Sequence, residues 1–378
     1  MIHNKQNEEV KPKIFWLTGD NYFDVDYPIV PKMAEEYCID WHIFLGYNKS
    51  YNEDEILSTH FPANENLKVS IHKSKVRARN PKRISEYLKL IKTIKAGKYN
   101  IIYIDMFDMS YLFPLLFLFR IKKIVYACHD FDIHVGFELG FIAFLLKKFN
   151  FRCFKNFQFF SKSVHNKFIE KYPKKNTFMA RLALKDFGES QVNPPTDKIV
   201  FTYFGTIREN KGVEYLIEAG NSLYETYKDK FIINILGHTS EWLKYDKQIK
   251  NREAFNLDIR GIENHEIPNV FCSSHFIILP YKDVSQSGVL HIAYNYYTPA
   301  ICPDFDGFRE YIDNNETGYL FEPQNSDSLK KVMEKIIIDD NRDYPKIKSG
   351  LNKFIEKNIS SKAITKEYIH FFNKIIYQ

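Results

Sequence analysis

Cysteine is sparse and scattered. Cys38, Cys128, Cys153, Cys272 and Cys302 are odd in number and never form a Cys-x-x-Cys pair. That excludes a disulfide framework and a structural zinc site of the usual spacing, and it predicts a reducing setting, the cytoplasm. Long hydrophobic runs are missing too. The longest, 111–119, is far too short to cross a bilayer. The opening Met-Ile-His-Asn-Lys-Gln-Asn-Glu-Glu lacks the apolar centre of a secretory signal. No internal repeat and no low-complexity segment interrupts the chain. Charge of one sign is weak: the net +6 is too small to predict a nucleic-acid partner. It suits a phosphorylated substrate or an acidic membrane surface.

Aromatic residues, by contrast, are plentiful, and 44% hydrophobic with 26% charged residues is the balance of a soluble globular protein. At 378 residues the chain accommodates two domains. Short apolar runs alternate with amphipathic stretches. The pattern predicts strands near 13–18, 41–46, 67–71, 100–104, 122–127, 156–160 and 176–180, with helices at 81–97, 109–119, 137–149 and 162–171. Runs such as Asn100-Ile101-Ile102-Tyr103-Ile104 are almost wholly apolar, as strands covered on both faces of a parallel sheet must be. The polar segment 188–197, with paired prolines at 194 and 195, cannot continue a helix and reads as a linker. Beyond it the pattern predicts strands at 198–204, 231–236, 257–260, 275–279 and 299–302. Helices are predicted at 211–226, 240–252, 265–273, 288–297, 307–313 and 326–338, with further helix over 343–377. Two doubly wound α/β domains follow, facing a cleft, with ligands at the carboxyl ends of their strands.

Two turns of the second half carry phosphate-binding chemistry. Phe204-Gly205-Thr206-Ile207-Arg208-Glu209-Asn210-Lys211-Gly212 ends a strand at a glycine, where backbone approaches a ligand closely. It then offers a guanidinium and an ammonium for phosphate oxygens. As solvated surface charges these two would sit poorly at a helix start, because the macrodipole disfavours cations there. Ser285-Gln286-Ser287-Gly288-Val289-Leu290 opens another helix, where free amides meet an anion. An ordinary serine cap is the plainer alternative for this turn. Together the turns predict a diphosphate site and a sugar-nucleotide enzyme.

The order Gly-x-x-Arg-x-x-Lys-Gly, Pro280-Tyr281, Ser287-Gly288, Thr298-Pro299, Gly307-Phe308-Arg309-Glu310 and Thr317-Gly318-Tyr319-Leu320 resembles the group 1 (family four) retaining glycosyltransferases of the GT-B fold. The resemblance is concentrated in 200–325. It implies that Arg208 and Lys211 hold a donor diphosphate together with Gly205 and the amides of Ser287, Gly288 and Val289. It also implies a last helix, 360–378, that crosses back onto the first domain. Many members carry paired glutamates around this turn for the donor's sugar and ribose. Here those places hold Val284 and Ile292, as in a subset with a Ser-Gln-Ser-Gly-Val turn. Asp283 and Gln286 are the nearest substitutes.

In the first half, Val125-Tyr126-Ala127-Cys128-His129-Asp130 ends a strand at the cleft. The resemblance implies that His129 faces the donor sugar, where it steadies charge at the reacting centre. A hydrogen-bonded structural histidine is the alternative. Gly19, Asp20 and Asp130 are acceptor-side candidates. The triplets Asp24-Val25-Asp26, Asp130-Phe131-Asp132 and Asp304-Phe305-Asp306 are a metal signature in a different glycosyltransferase fold. Such triplets arise easily by chance, and no essential metal or other cofactor is expected. Aromatic residues beside lysines and arginines in 110–126 and 137–160, and the basic positions His72, Lys73, Lys75, Arg77, Arg79, Lys82 and Arg83, suit an acidic membrane surface. A core helix with a solvated basic face is the alternative.

The sequence thus predicts a first domain, 1–187, for the acceptor, a linker, 188–197, and a nucleotide-sugar domain, 198–359. The expected reaction is metal-independent hexosyl transfer from a nucleotide-diphosphate donor to a hydroxyl of a glycan or lipid-linked acceptor. The resemblance implies retention and bacterial surface polysaccharide biosynthesis, in the cytoplasm or at the inner face of the membrane. An epimerase or hydrolase on the same scaffold, and a degenerate sugar- or nucleotide-binding subunit, are the other readings.

Overall fold

The computed structural model describes residues 11–46, 53, 56, 64–77, 80–106, 111–129, 141–284 and 286–378. Asp130, the triplet it opens, Arg79 and Ser285 lie outside the described residues.

The first domain is built on a parallel sheet of β1 (Lys13–Gly19), β2 (Cys38–Leu45), β3 (Leu67–Lys73), β4 (Ile101–Asp105), β5 (Ile124–Cys128), β6 (Asn156–Phe159) and β7 (Asn176–Met179). Their spatial order is β3-β2-β1-β4-β5-β6-β7. The second sheet holds β8 (Ile199–Phe204), β9 (Phe231–Leu236), β10 (Phe255–Asp258), β11 (Phe276–Ile278), β12 (Ala300–Pro303) and β13 (Gly318–Phe321). Its order is β10-β9-β8-β11-β12-β13, again all parallel. β1, β4 and β8 are buried along nearly their whole length, as their continuous apolar runs require.

Each sheet reverses its winding once, between β1 and β4 and between β8 and β11. Connections leave in opposite directions at such a switch point and open a crevice at the strands' carboxyl ends. The two turns expected to bind phosphate follow β8 and β11, so the topology puts them side by side. Gly19, Asp105 and His129 end or follow β1, β4 and β5 at the corresponding edge of the first sheet.

An irregular stretch, 180–198, links β7 to β8. The final helix, Ser361–Tyr377, returns to the first domain. Its Tyr368 hydroxyl accepts from Gln158 Nε2 at 2.6 Å, its Asn373 accepts from the Tyr37 hydroxyl at 2.8 Å, and its Phe372 ring lies beside Trp16 and Tyr103. One apolar core therefore runs from beneath β1 into the second domain.

Several elements depart from the periodicity reading, each for a local reason. The helix expected over 211–226 starts at Val213, because Gly212 turns left-handed (φ 63°). Lys211 is left outside it, in a 3₁₀ turn. The helix expected over 240–252 is confined to Trp242–Asp246, since Asn221 Oδ1 accepts the Lys250 and Asn251 amides and pulls the chain out of helix. The tail breaks into Tyr344–Asn358 and Ser361–Tyr377, where Ser360 caps the Ala363 amide. Gly318–Phe321, quoted above only as a motif, is an edge strand.

Candidate active site at the interdomain crevice

The two turns are fastened together by backbone. Lys282 donates its amide to the Asn210 carbonyl at 2.9 Å. Gly212 lies against Pro280 so tightly that a Cβ there would stand 2.0 Å from the Pro280 carbonyl oxygen. Gly205, at φ 122°, adopts a conformation open mainly to glycine. A Cβ on it would be 3.5 Å from Val289 Cγ2, so the β8 turn and the first turn of helix Gly288–Asn295 face each other.

Into this junction comes Lys211. Its ammonium sits 3.6 Å from the centroid of the Tyr281 ring, within cation–π range. Burial, and then the neighbouring Arg208 guanidinium, push its pKa down to about 8. Among the described residues no carboxylate forms an ion pair with it. Arg208 is exposed beside it. Two adjacent cations, one of them largely desolvated, create a place where an anion is electrostatically favoured. Lys282, by contrast, is spent on Glu214 at 2.6 Å.

Ser287 is the N-cap of helix Gly288–Asn295, its hydroxyl accepting the Leu290 amide at 3.3 Å. The plain cap is therefore real. It does not compete with anion binding, because the Gly288 and Val289 amides have no intrahelical acceptor. Ile292 is buried and Val284 packs against the core, so the paired-glutamate positions are occupied by apolar packing. Asp283 is exposed. Gln286 reaches across the crevice, its Nε2 3.4 Å from the His129 carbonyl oxygen.

On the facing side, the His129 ring is held between Tyr22 and Phe160, with centroids 3.9 and 4.1 Å away and nearly parallel planes. Its Nε2 bonds Asp105 Oδ1 at 2.8 Å. Asp105 is fully buried. Burial raises its pKa and His129 opposes the rise. The ring is thus fixed in position and direction, and a carboxyl group backs one of its nitrogens. Gly19 closes β1 with ordinary extended geometry (φ −76°), and Met106 leaves little room above it. Asp20 is buried beneath the same edge.

Of the two described triplets, Asp304 and Asp306 both bind Arg309. Asp26 is buried and accepts from Trp16 and Thr18, while Asp24 pairs with Lys185. Among the described residues no cluster of three His, Cys, Asp or Glu side chains is placed to hold a metal ion.

The sequence reading missed Asp105 and Lys185 altogether, and quoted Asp24 and Glu310 only inside motifs, without the contacts they make. Asp105 left a signal, a carboxylate ending an otherwise apolar strand. The others left none, because their partners are distant in sequence.

This architecture, two parallel α/β domains facing a crevice, is the GT-B fold. A glycosyltransferase from Rickettsia africae superposes with a TM-score of 0.72 at 15% identity, over 97% of this chain and 99% of that one. Anabaena HepE in complex with UDP superposes with a TM-score of 0.70 at 14% identity, over 96% and 100%. At such identities the likeness establishes fold alone. The family model "Glycosyl transferases group 1" matches residues 185–354, the second domain with the link that leads into it. Among curated proteins, an uncharacterized 41.2 kDa protein in the cps region of Klebsiella pneumoniae is 23% identical over 270 residues, 66% of this chain and 73% of that protein. The family match is thus confined to the second domain and the link before it, while the structural likeness covers the whole fold.

Proposed function

We propose that the protein transfers a hexosyl group from a nucleotide-diphosphate sugar to a hydroxyl of a glycan or lipid-linked acceptor, with retention, in bacterial surface polysaccharide assembly. One observation carries the reading: the turns after β8 and β11 meet, Lys211 resting on Tyr281, the Lys282 amide bonding the Asn210 carbonyl and Gly205 facing Val289; we take Lys211, Arg208 and the amides of helix Gly288–Asn295 as the anion site at that junction. HepE was crystallised with UDP and with UDP-glucose, and the Klebsiella relative lies in a cps region. Both agree with a sugar-nucleotide donor and a polysaccharide setting.

The chemistry follows from where charge develops. As the bond between the anomeric carbon and the phosphate oxygen breaks, negative charge grows on the diphosphate. Lys211, already in place and largely out of water, and Arg208 beside it stabilise that growth more than they stabilise the intact donor. The acceptor oxygen bonds to the anomeric carbon, and its proton leaves with the diphosphate. His129, fixed by its ring neighbours and Asp105, is in this reading the group of the opposite wall that faces the sugar. No metal is needed in this scheme, because the two cations and the helix amides take its electrostatic part.

A patch of the first domain, at the amino ends of its strands, fits a lipid surface. Phe117 and Leu118 are 53% and 71% exposed. They stand beside exposed Arg120, Lys122 and Lys123 at the end of helix Leu112–Leu118. Apolar side chains ringed by cations suit an acidic bilayer. No helix among the described residues is long and apolar enough to cross one.

Incubation with labelled sugar nucleotides, with and without membrane lipid extract, tests the proposal. Acceptor-dependent transfer of label supports it. Release of free sugar or an epimer without acceptor, or binding without turnover, contradicts it.

A further inference from the structure

We infer that Lys185 is a third cation of the diphosphate site, and that Asp24 occupies the phosphate's place on it when the crevice is empty. The inference rests on the reading that the first turn of helix Gly288–Asn295 receives the donor's diphosphate.

Lys185 belongs to neither phosphate-binding turn; it comes from the link between the domains. Its amide points at the His291 carbonyl, at 3.5 Å, so the link runs along that helix. Its side chain then lies over the helix's first residue. A methyl added to Gly288 would stand 3.3 Å from Lys185 Nζ and 3.5 Å from Cε. An ammonium at the positive end of a helix is badly placed by itself, since the macrodipole opposes it. Arg181, from the same link, adds positive charge close by: with Lys185 it helps hold buried His291 in its neutral form, after burial itself, with a pKa of about 4. Such an accumulation of like charge requires an anion. In the structure that anion is Asp24, reaching over from the first domain to pair with Lys185, both side chains less than a fifth exposed (18% and 19%).

A carboxylate brings one negative charge to this position, whereas a diphosphate brings more and also satisfies the free amides of Gly288 and Val289. Exchange of Asp24 for the diphosphate is therefore favourable. It frees Asp24 at the crevice wall, close enough to raise the pKa of both Asp26 and Asp105.

The two partners of this ion pair make opposite predictions, which separates a ligand role from a mere interdomain brace. Titration calorimetry with UDP, and with inorganic pyrophosphate as a base-independent probe, should show Lys185→Met weakening binding about tenfold, the effect of one charged hydrogen bond. Asp24→Asn should tighten it, because the competing anion is gone. Melting temperatures of both variants identify any that fail to fold, and Lys185→Arg should restore most of the affinity. Equal weakening by Lys185→Met and Asp24→Asn, or no change in either, overturns the inference. If Lys211→Ala abolishes binding while Lys185→Met leaves it intact, this inference fails and the diphosphate reading stands. If neither variant alters binding, the diphosphate reading fails as well.

Discussion

Lys211 rests its ammonium on the face of Tyr281, 3.6 Å from the ring centroid, and by that contact the turn after β8 is tied to the turn after β11. The contact places charge where burial alone would remove it. Lys211→Ala should weaken nucleoside diphosphate binding by roughly 1.5–3 kcal/mol, the range for a charged hydrogen bond. The pH dependence has a definite sign. With its pKa lowered to about 8, free Lys211 loses its proton as pH rises through 8, and the diphosphate then has to draw a proton in. Affinity should fall above about pH 8, with proton uptake visible as a buffer-dependent heat in calorimetry. Stability of the unliganded protein should move the other way between about pH 8 and the unfolded value of 10.5, because the unfolded chain binds more protons there.

Glu310 holds the two domains in register. Its carboxylate accepts from the Ser161 hydroxyl at 2.8 Å and from the Lys162 and Ser163 amides, each at 2.9 Å. A side chain of the second domain thus caps helix Lys162–Lys171 of the first, at its positive end. Glu310→Ala should destabilise the protein by about 1–2 kcal/mol, the cost of a lost cap, and Glu310→Gln by less. Urea unfolding measures the difference. Equal stability of parent and alanine variant would remove Glu310 from this role.

His129 and Asp105 act as a unit in this account. His129→Ala and Asp105→Asn should both lower turnover, on the order of 10²-fold for loss of a positioned acid–base or charge-stabilising group, with little change in donor affinity. Steady-state kinetics beside calorimetry separates the two quantities. Turnover equal to the parent's would leave His129 as a structural histidine wedged between two rings.

Phe117 and Leu118 give the membrane reading its test. Replacing both with serine should reduce cosedimentation with vesicles containing phosphatidylglycerol. Lys122→Glu with Lys123→Glu should do the same and remove most of the salt sensitivity, since each cation near an acidic surface contributes about 1 kcal/mol. Binding that is indifferent to all four changes would assign the patch to another partner.

Much of this molecule was legible in the chain because of burial. β1, β4 and β8 are covered on both faces, so their composition alone announced a parallel sheet. The turns at Gly205–Gly212 and 286–289 were legible because strand ends and helix starts carry residue types with few other uses. What stayed hidden depends on long-range geometry. Nothing local to Lys185 indicates that Asp24, in the other domain, will meet it. Glu310 reads as a surface glutamate until helix Lys162–Lys171 arrives beside it. β13 is only Gly318–Phe321 at a sheet edge, too short for alternation to register. Helix ends moved where one side chain captured the backbone, as Asn221 does at Lys250.

The most direct test of the diphosphate crevice is the melting temperature of the whole protein across a panel of nucleoside diphosphates, for the parent and for Lys211→Ala. A ligand bound only by the folded state must raise it, by about 2.7 kcal/mol of stability at a hundredfold excess over Kd. The account predicts that at least one nucleoside diphosphate raises the parent's melting temperature clearly, that the matching monophosphate does so much less, and that Lys211→Ala loses most of the rise. A panel without effect on the parent, or a rise undiminished in the variant, would contradict it.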